Sequence, residues 1–220
     1  MSVGAQRRGF TLVELLVTVS LFGLLAVLAA PSFTSWIQDA QVRTAAESLQ
    51  NGLRVAQAEA TRRHRQVAFV LTNSAPAAGA TAATAGTAAQ VSGKYWVVTV
   101  IANPLSNKLN NTTATPVDGT DVNTNLMVQS GALGATAPNA QVSVAPQQAA
   151  ICFNSLGRLT TLNDGTYNCT VPATGTVTYT ITNSRFNSAR ALNVNVSLGG
   201  LIRVCDPSKS LSQGSPDACA

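Results

Sequence analysis

The chain has 220 residues, 45% hydrophobic and only 10% charged, with 14 Lys and Arg against 9 Asp and Glu for a formal charge of +5. A charge this small and dilute is not by itself a nucleic-acid signature. One histidine, singly scattered acids and the lack of a Gly-x-Ser-x-Gly, phosphate-loop or metal-ligand pattern leave catalysis no constellation to use, so no enzyme activity, metal or cofactor is expected.

The first element is apolar. Phe10 to Ala30 is a run of 21 residues with one ionisable side chain, Glu14, and as a helix it would span ~31 Å, the thickness of a bilayer core. Arg7 and Arg8 precede it with no acid nearby, which keeps the N-terminus cytoplasmic and sends the rest outward. The run is too long for an ordinary secretory signal, and Ala29-Ala30-Pro31 is a poor cleavage site. A carboxylate at the start of a span is costly and marks a partner or a pathway. Cleavage after Gly9 would make Phe10 a free amine, with Glu14 one turn below, so that a neighbouring copy could pair amine with carboxylate. The plainer alternative is an anchor whose Glu14 snorkels to the headgroups.

Gly9-Phe10-Thr11-Leu12-Val13-Glu14, behind Arg7-Arg8, resembles the class III leader junction of type IV pilins and type II secretion pseudopilins. The resemblance implies that a prepilin peptidase cuts between Gly9 and Phe10 and methylates the Phe10 amine. It also implies that Glu14 pairs with another subunit's terminus during assembly and that Pro31 bends the helix. Residues 1–9 are then the leader, 10–30 the transmembrane helix, 31–65 its amphipathic continuation and 66–220 a β-rich head. The protein would sit in the inner membrane with its head periplasmic, and after processing in a pilus or pseudopilus. Loss of Arg7 and Arg8 with the leader leaves a net +3.

Beyond Pro31, Val42, Ala45, Ala46, Leu49, Leu53, Ala56 and Ala60 recur at spacings of three and four, the stripe of an amphipathic helix, with Arg43, Glu47, Arg54, Glu59 and Arg62 left to solvent. His64, inside Arg62-Arg63-His64-Arg65, reads as a solvated cap where cations suit the helix C-terminus. Alternation then predicts half-buried strands at Val67–Leu71 and Tyr95–Ile101. Further strands are expected at Leu126–Gln129, Gln141–Ala145, Ala149–Phe153, Thr176–Thr182, Ala191–Leu198 and Leu201–Cys205. Residues 74–92 and 103–125, rich in Ala, Gly, Thr, Asn and Pro, read as long mobile loops. The fold class is α+β.

Cys152, Cys169, Cys205 and Cys219 lie in the part that topology places in an oxidising compartment, which favours two disulfides. Of three possible pairings, the sequence-local ones, Cys152 with Cys169 and Cys205 with Cys219, are favoured because each closes a short loop; such a loop is worth ~3 kcal/mol. The leader, the β head, Phe153 to Gly157 and Gly199-Gly200-Leu201-Ile202-Arg203-Val204-Cys205-Asp206-Pro207 together are similar to the FimT/GspH group of minor pilins and pseudopilins. That resemblance implies two antiparallel sheets packed on the helix. Members of the group tied to competence bind DNA through a Gly-Arg-x-Arg segment; here the aligned segment is Gly200-Leu201-Ile202-Arg203, without the first arginine. Arg203, Arg158, Arg185, Arg190 and Lys209 are the candidate contacts for double-stranded DNA through its phosphates, against the alternative of separate surface cations. The expected function is a minor type IV pilin acting in pilus assembly, with a type II secretion pseudopilin as the alternative. The expected partners are the prepilin peptidase, other pilins and the inner membrane.

Overall fold

The computed structural model describes residues 10–76, 90–101, 126–133, 140–148, 150–163, 167–184 and 189–219. The leader, most of the loop at 74–92 and all of that at 103–125 lie outside these ranges.

Helix α1, Leu12–Arg63, runs for 52 residues. Thr11 caps it, its hydroxyl accepting the Glu14 N–H at 3.2 Å. The far end closes on His64, in the left-handed region at φ 51, whose N–H reaches the carbonyls of Ala60 and Thr61. His64 is exposed, the cap read from the sequence. The segments Leu12–Leu28 and Phe33–Arg63 meet at 44°. Pro31 lies in the stretch between them, and a proline withdraws one donor from the helical ladder. Neither segment alone is long and apolar enough to cross a membrane; the bent pair meets the requirement by length and composition.

The head contains strands β1 (Val67–Thr72), β2 (Tyr95–Val100), β3 (Leu126–Ala132), β4 (Ala140–Ala145), β5 (Ala150–Phe153) and β6 (Leu159–Thr160). There follow β7 (Leu162–Asn163), β8 (Asn168–Cys169), β9 (Thr176–Asn183), β10 (Leu192–Ser197), β11 (Ile202–Cys205) and a 3-10 turn, Leu211–Gln213. They form a five-stranded sheet in the order β3-β2-β1-β5-β6, a four-stranded sheet β11-β10-β9-β4, and a ribbon β7-β8. The pairings between these strands are antiparallel. The head is therefore α+β, a helix laid against two antiparallel sheets.

The stripe from Val42 to Ala60 is fully buried against both sheets, meeting Phe69 and Trp96 of the first and Tyr179 and Val194 of the second. Burying a leucine such as Leu49 or Leu53 contributes ~1.5–3 kcal/mol. Trp96 locks helix to sheet. Its indole lies so close to Gly52 of α1 and Gly131 of β3 that a Cβ there would approach it to 2.8 and 2.4 Å, and its N–H donates to Ser48 Oγ at 3.1 Å.

One expectation needs correction. β1 and β2 were expected to bury a single face, yet β1 is buried at all six positions and β2 at all but its first. Val67, Phe69 and Leu71 face the main core, while Ala68 and Val70 enter a second cluster with Ile101, Ala150, Tyr167 and the cystine Cys152–Cys169. The disulfide ties the β7-β8 ribbon to β5, across the outer face of the sheet. The short strands β6, β7 and β8 lacked any periodic signal.

Candidate functional site

Three surfaces carry the residues singled out in the sequence. The first is the N-terminal half of α1, where every described side chain from Phe10 to Leu28 is exposed, Phe10 at 84%. Apolar surface on this scale marks a lipid or protein contact. The polar residues inside it are satisfied locally, Thr18 donating to Leu15 O at 2.9 Å and Ser20 to Val17 O at 2.8 Å, as a helix in hydrocarbon requires. Glu14 lacks such a partner: among the described residues none meets its carboxylate. Its place in the first turn also suits the positive end of the helix dipole.

The second surface is the C-terminal loop, closed by Cys205–Cys219. The two cystines are the sequence-local pairs. Arg190 forms an ion pair with buried Asp206, approaches Asp217 at 4.0 Å, and lends its backbone N–H to Asp39 of α1 at 2.9 Å. Lys209 pairs with Asp217, whose carboxyl it holds below the usual range. Asp206 also accepts the N–H and hydroxyl of Ser208 at 2.9 and 2.7 Å, an Asx turn that pins the loop's start. Arg203 donates to the carbonyls of Pro216 and Ala218. A groove of about 630 Å³ separates this loop from the Trp36–Gln50 flank of α1.

Of the five cations weighed for DNA, the structure brings Arg190, Arg203 and Lys209 together. It engages them with the loop's own carboxylates and carbonyls. Arg158 sits at the other end of the β10–β11 hairpin, next to the Gly199-Gly200 turn, and Arg185 is outside the described residues. Sequence reasoning missed Asp206 and Asp217 as the partners; their closeness to Lys209 in the chain was the available signal.

The third surface lies at that far end. The turn between β5 and β6 and the turn between β10 and β11 are clamped on α1 by Gln57, whose amide donates to Gly157 O at 2.8 Å and Gly200 O at 2.9 Å. Gly200 has φ +88, and a Cβ there would lie 2.1 Å from Gly157 O, so this junction requires glycine. Among the described residues no group of three or more His, Cys, Asp or Glu is placed to hold a metal.

A capped helix whose first half is bare and apolar and whose second half lies under two antiparallel sheets is the architecture that the pilin resemblance implied. The sequence comparisons agree. Residues 4–30 match the prokaryotic N-terminal methylation motif, and residues 45–200 match the family described as type II transport protein GspH. The chain belongs to the GspH family, among the membrane-anchored subunits of pilus-type filaments. It is also similar in structure to two crystal forms of the type IV minor pilin FimU from Pseudomonas aeruginosa PAO1. Their TM-scores are 0.46 and 0.42, each at 14% identity, over 84% and 81% of this chain and 99% of theirs. No curated protein matches the sequence.

Proposed function

We propose that the protein is a minor, non-catalytic subunit of a type IV pilus, cut between Gly9 and Phe10, methylated on Phe10 and inserted into the filament by α1. In this reading residues 10–30 span the inner membrane before assembly and the head faces the periplasm. The carboxylate of Glu14 neutralises the terminal amine of a neighbouring subunit. The observation that carries it is Glu14, which no described residue partners, in the exposed apolar first half of α1 that the methylation motif covers. Mass spectrometry of sheared surface fibres tests it: a chain beginning at methylated Phe10 is expected, and a mature chain that retains Met1 or starts beyond Pro31 overturns it.

The second reading is a minor pseudopilin of a type II secretion system, favoured by the description of the matching family. Deletion separates the two, since loss of fibres with normal protein export supports the pilus and the reverse supports secretion. A DNA-binding role has less support, because Arg190, Arg203 and Lys209 are already engaged by carboxylates and carbonyls of the C-terminal loop. A salt-titrated binding measurement with double-stranded DNA decides it.

A further inference from the structure

The clamped junction at the end of the head exposes three leucines: Leu156 at 75%, Leu201 at 68% and Leu198 at 42%. A lone exposed leucine needs no explanation, but these three stand on two turns held together by Gln57 and by the Leu159 N–H to Leu198 O bond at 3.1 Å. The patch is rigid at its base. Gly157, Gly175 and Gly200 all take positive φ to form these turns and the one beside them, and the Leu198 N–H bonds Gly175 O at 2.6 Å. The border is cationic. Arg158 adjoins Gly157, and Arg54 lies one turn before Gln57 on the same flank of α1. Both are exposed, and among the described residues neither has a carboxylate partner.

Gln57 lies 27 residues beyond Ala30, ~40 Å along the helix, which carries the patch past the headgroups of a membrane spanned by residues 10–30. An apolar centre with a charged rim is the anatomy of a protein interface, whereas a phosphate backbone calls for donors at the centre. We propose that Leu156, Leu198 and Leu201, bordered by Arg54 and Arg158, form a docking surface for a neighbouring filament subunit that presents apolar side chains framed by Asp or Glu. This rests on the filament reading above and adds which end of the head makes the contact.

The test places a photo-crosslinking residue at position 156 of the full chain in the cells that assemble its filament. The expected adduct is a protein carrying its own N-terminal methylation motif, joined through a peptide that holds both apolar and acidic residues. Leu201→Glu and Arg158→Glu, each at an exposed position, should lower that adduct by tenfold or more while the thermal midpoint of the full chain in detergent stays unchanged. Adducts to nucleic acid, to lipid or to proteins without the motif overturn the proposal, as does an adduct indifferent to both substitutions. If the chain is found in fibres with methylated Phe10 yet forms no adduct, the docking surface fails and the filament reading stands. Absence of the chain from fibres defeats both.

Discussion

The two halves of α1 are continuous in backbone and opposite in their dealings with the rest of the molecule. From Leu12 to Leu28 all side chains are exposed and mostly apolar; from Val42 to Ala60 the residues of the apolar stripe are fully buried and the charged ones mostly face solvent. Helix propensity does not separate them. What separates them is where the apolar surface finds its partner: outside the chain for the first half, inside it for the second. Changes in the first half should therefore alter assembly without altering the head, and changes in the second should do the reverse.

The largest expected effect is at Glu14. Glu14→Ala should reduce incorporation into fibres at least tenfold, read by immunoblotting of sheared material, with no change in the head's thermal midpoint. Glu14→Gln sharpens the point, because the backbone N–H at position 14 still bonds the Thr11 hydroxyl and only the charge is removed. Wild-type incorporation of Glu14→Gln would show that the charge is dispensable and break the assembly role.

In the packed half, Leu53→Ala should cost the head about 3 kcal/mol, since the side chain is fully buried between α1 and the sheets. Denaturant unfolding of the full chain in detergent measures it. Those molecules that remain folded should still enter fibres, and a selective loss of incorporation at full stability would blur the division between the halves. Ser48→Ala removes the acceptor of the Trp96 indole N–H and should cost about 1 kcal/mol in the same measurement.

The division was legible in the sequence because each half has its own pattern: an apolar run long enough for a bilayer, then a stripe at helical spacing. The local disulfides were legible too, each closing a short loop. Two-sided burial of β1 was misjudged by reading only alternate positions. Val67-Ala68-Phe69-Val70-Leu71 is apolar throughout, the pattern of a strand covered on both faces. The clamp from Gln57 to Gly200 joins residues 143 apart, and no local rule announces it. The cations of the C-terminal region were visible, but composition does not say whether they converge on an outside phosphate or on the chain's own Asp206 and Asp217. That is decided by how the loop closes.

The smallest effect concerns the end of the packed half, where Glu59 accepts bonds from Arg62 at 2.7 Å and Arg63 at 2.7 Å. The Arg62 hydrogen bond, opposed by burial and helped by Arg63, holds the Glu59 carboxyl below its ordinary value of 4.5. A carboxyl whose folded pKa is depressed stabilises the fold fully above its unfolded pKa, and that stability drains away as pH falls through the folded value. The unfolding free energy of the wild type minus that of Glu59→Gln should therefore be constant above about pH 5.5 and shrink on acidification below 4.5, by no more than about 1 kcal/mol for a pair this close to the surface. Glu14, which no cation among the described residues meets, should show no loss of stability for Glu14→Gln. A clear loss of stability there would mean that the first half of α1 also finds its electrostatic partner within the subunit, and the contrast between the halves would fail at the residue to which we assign assembly.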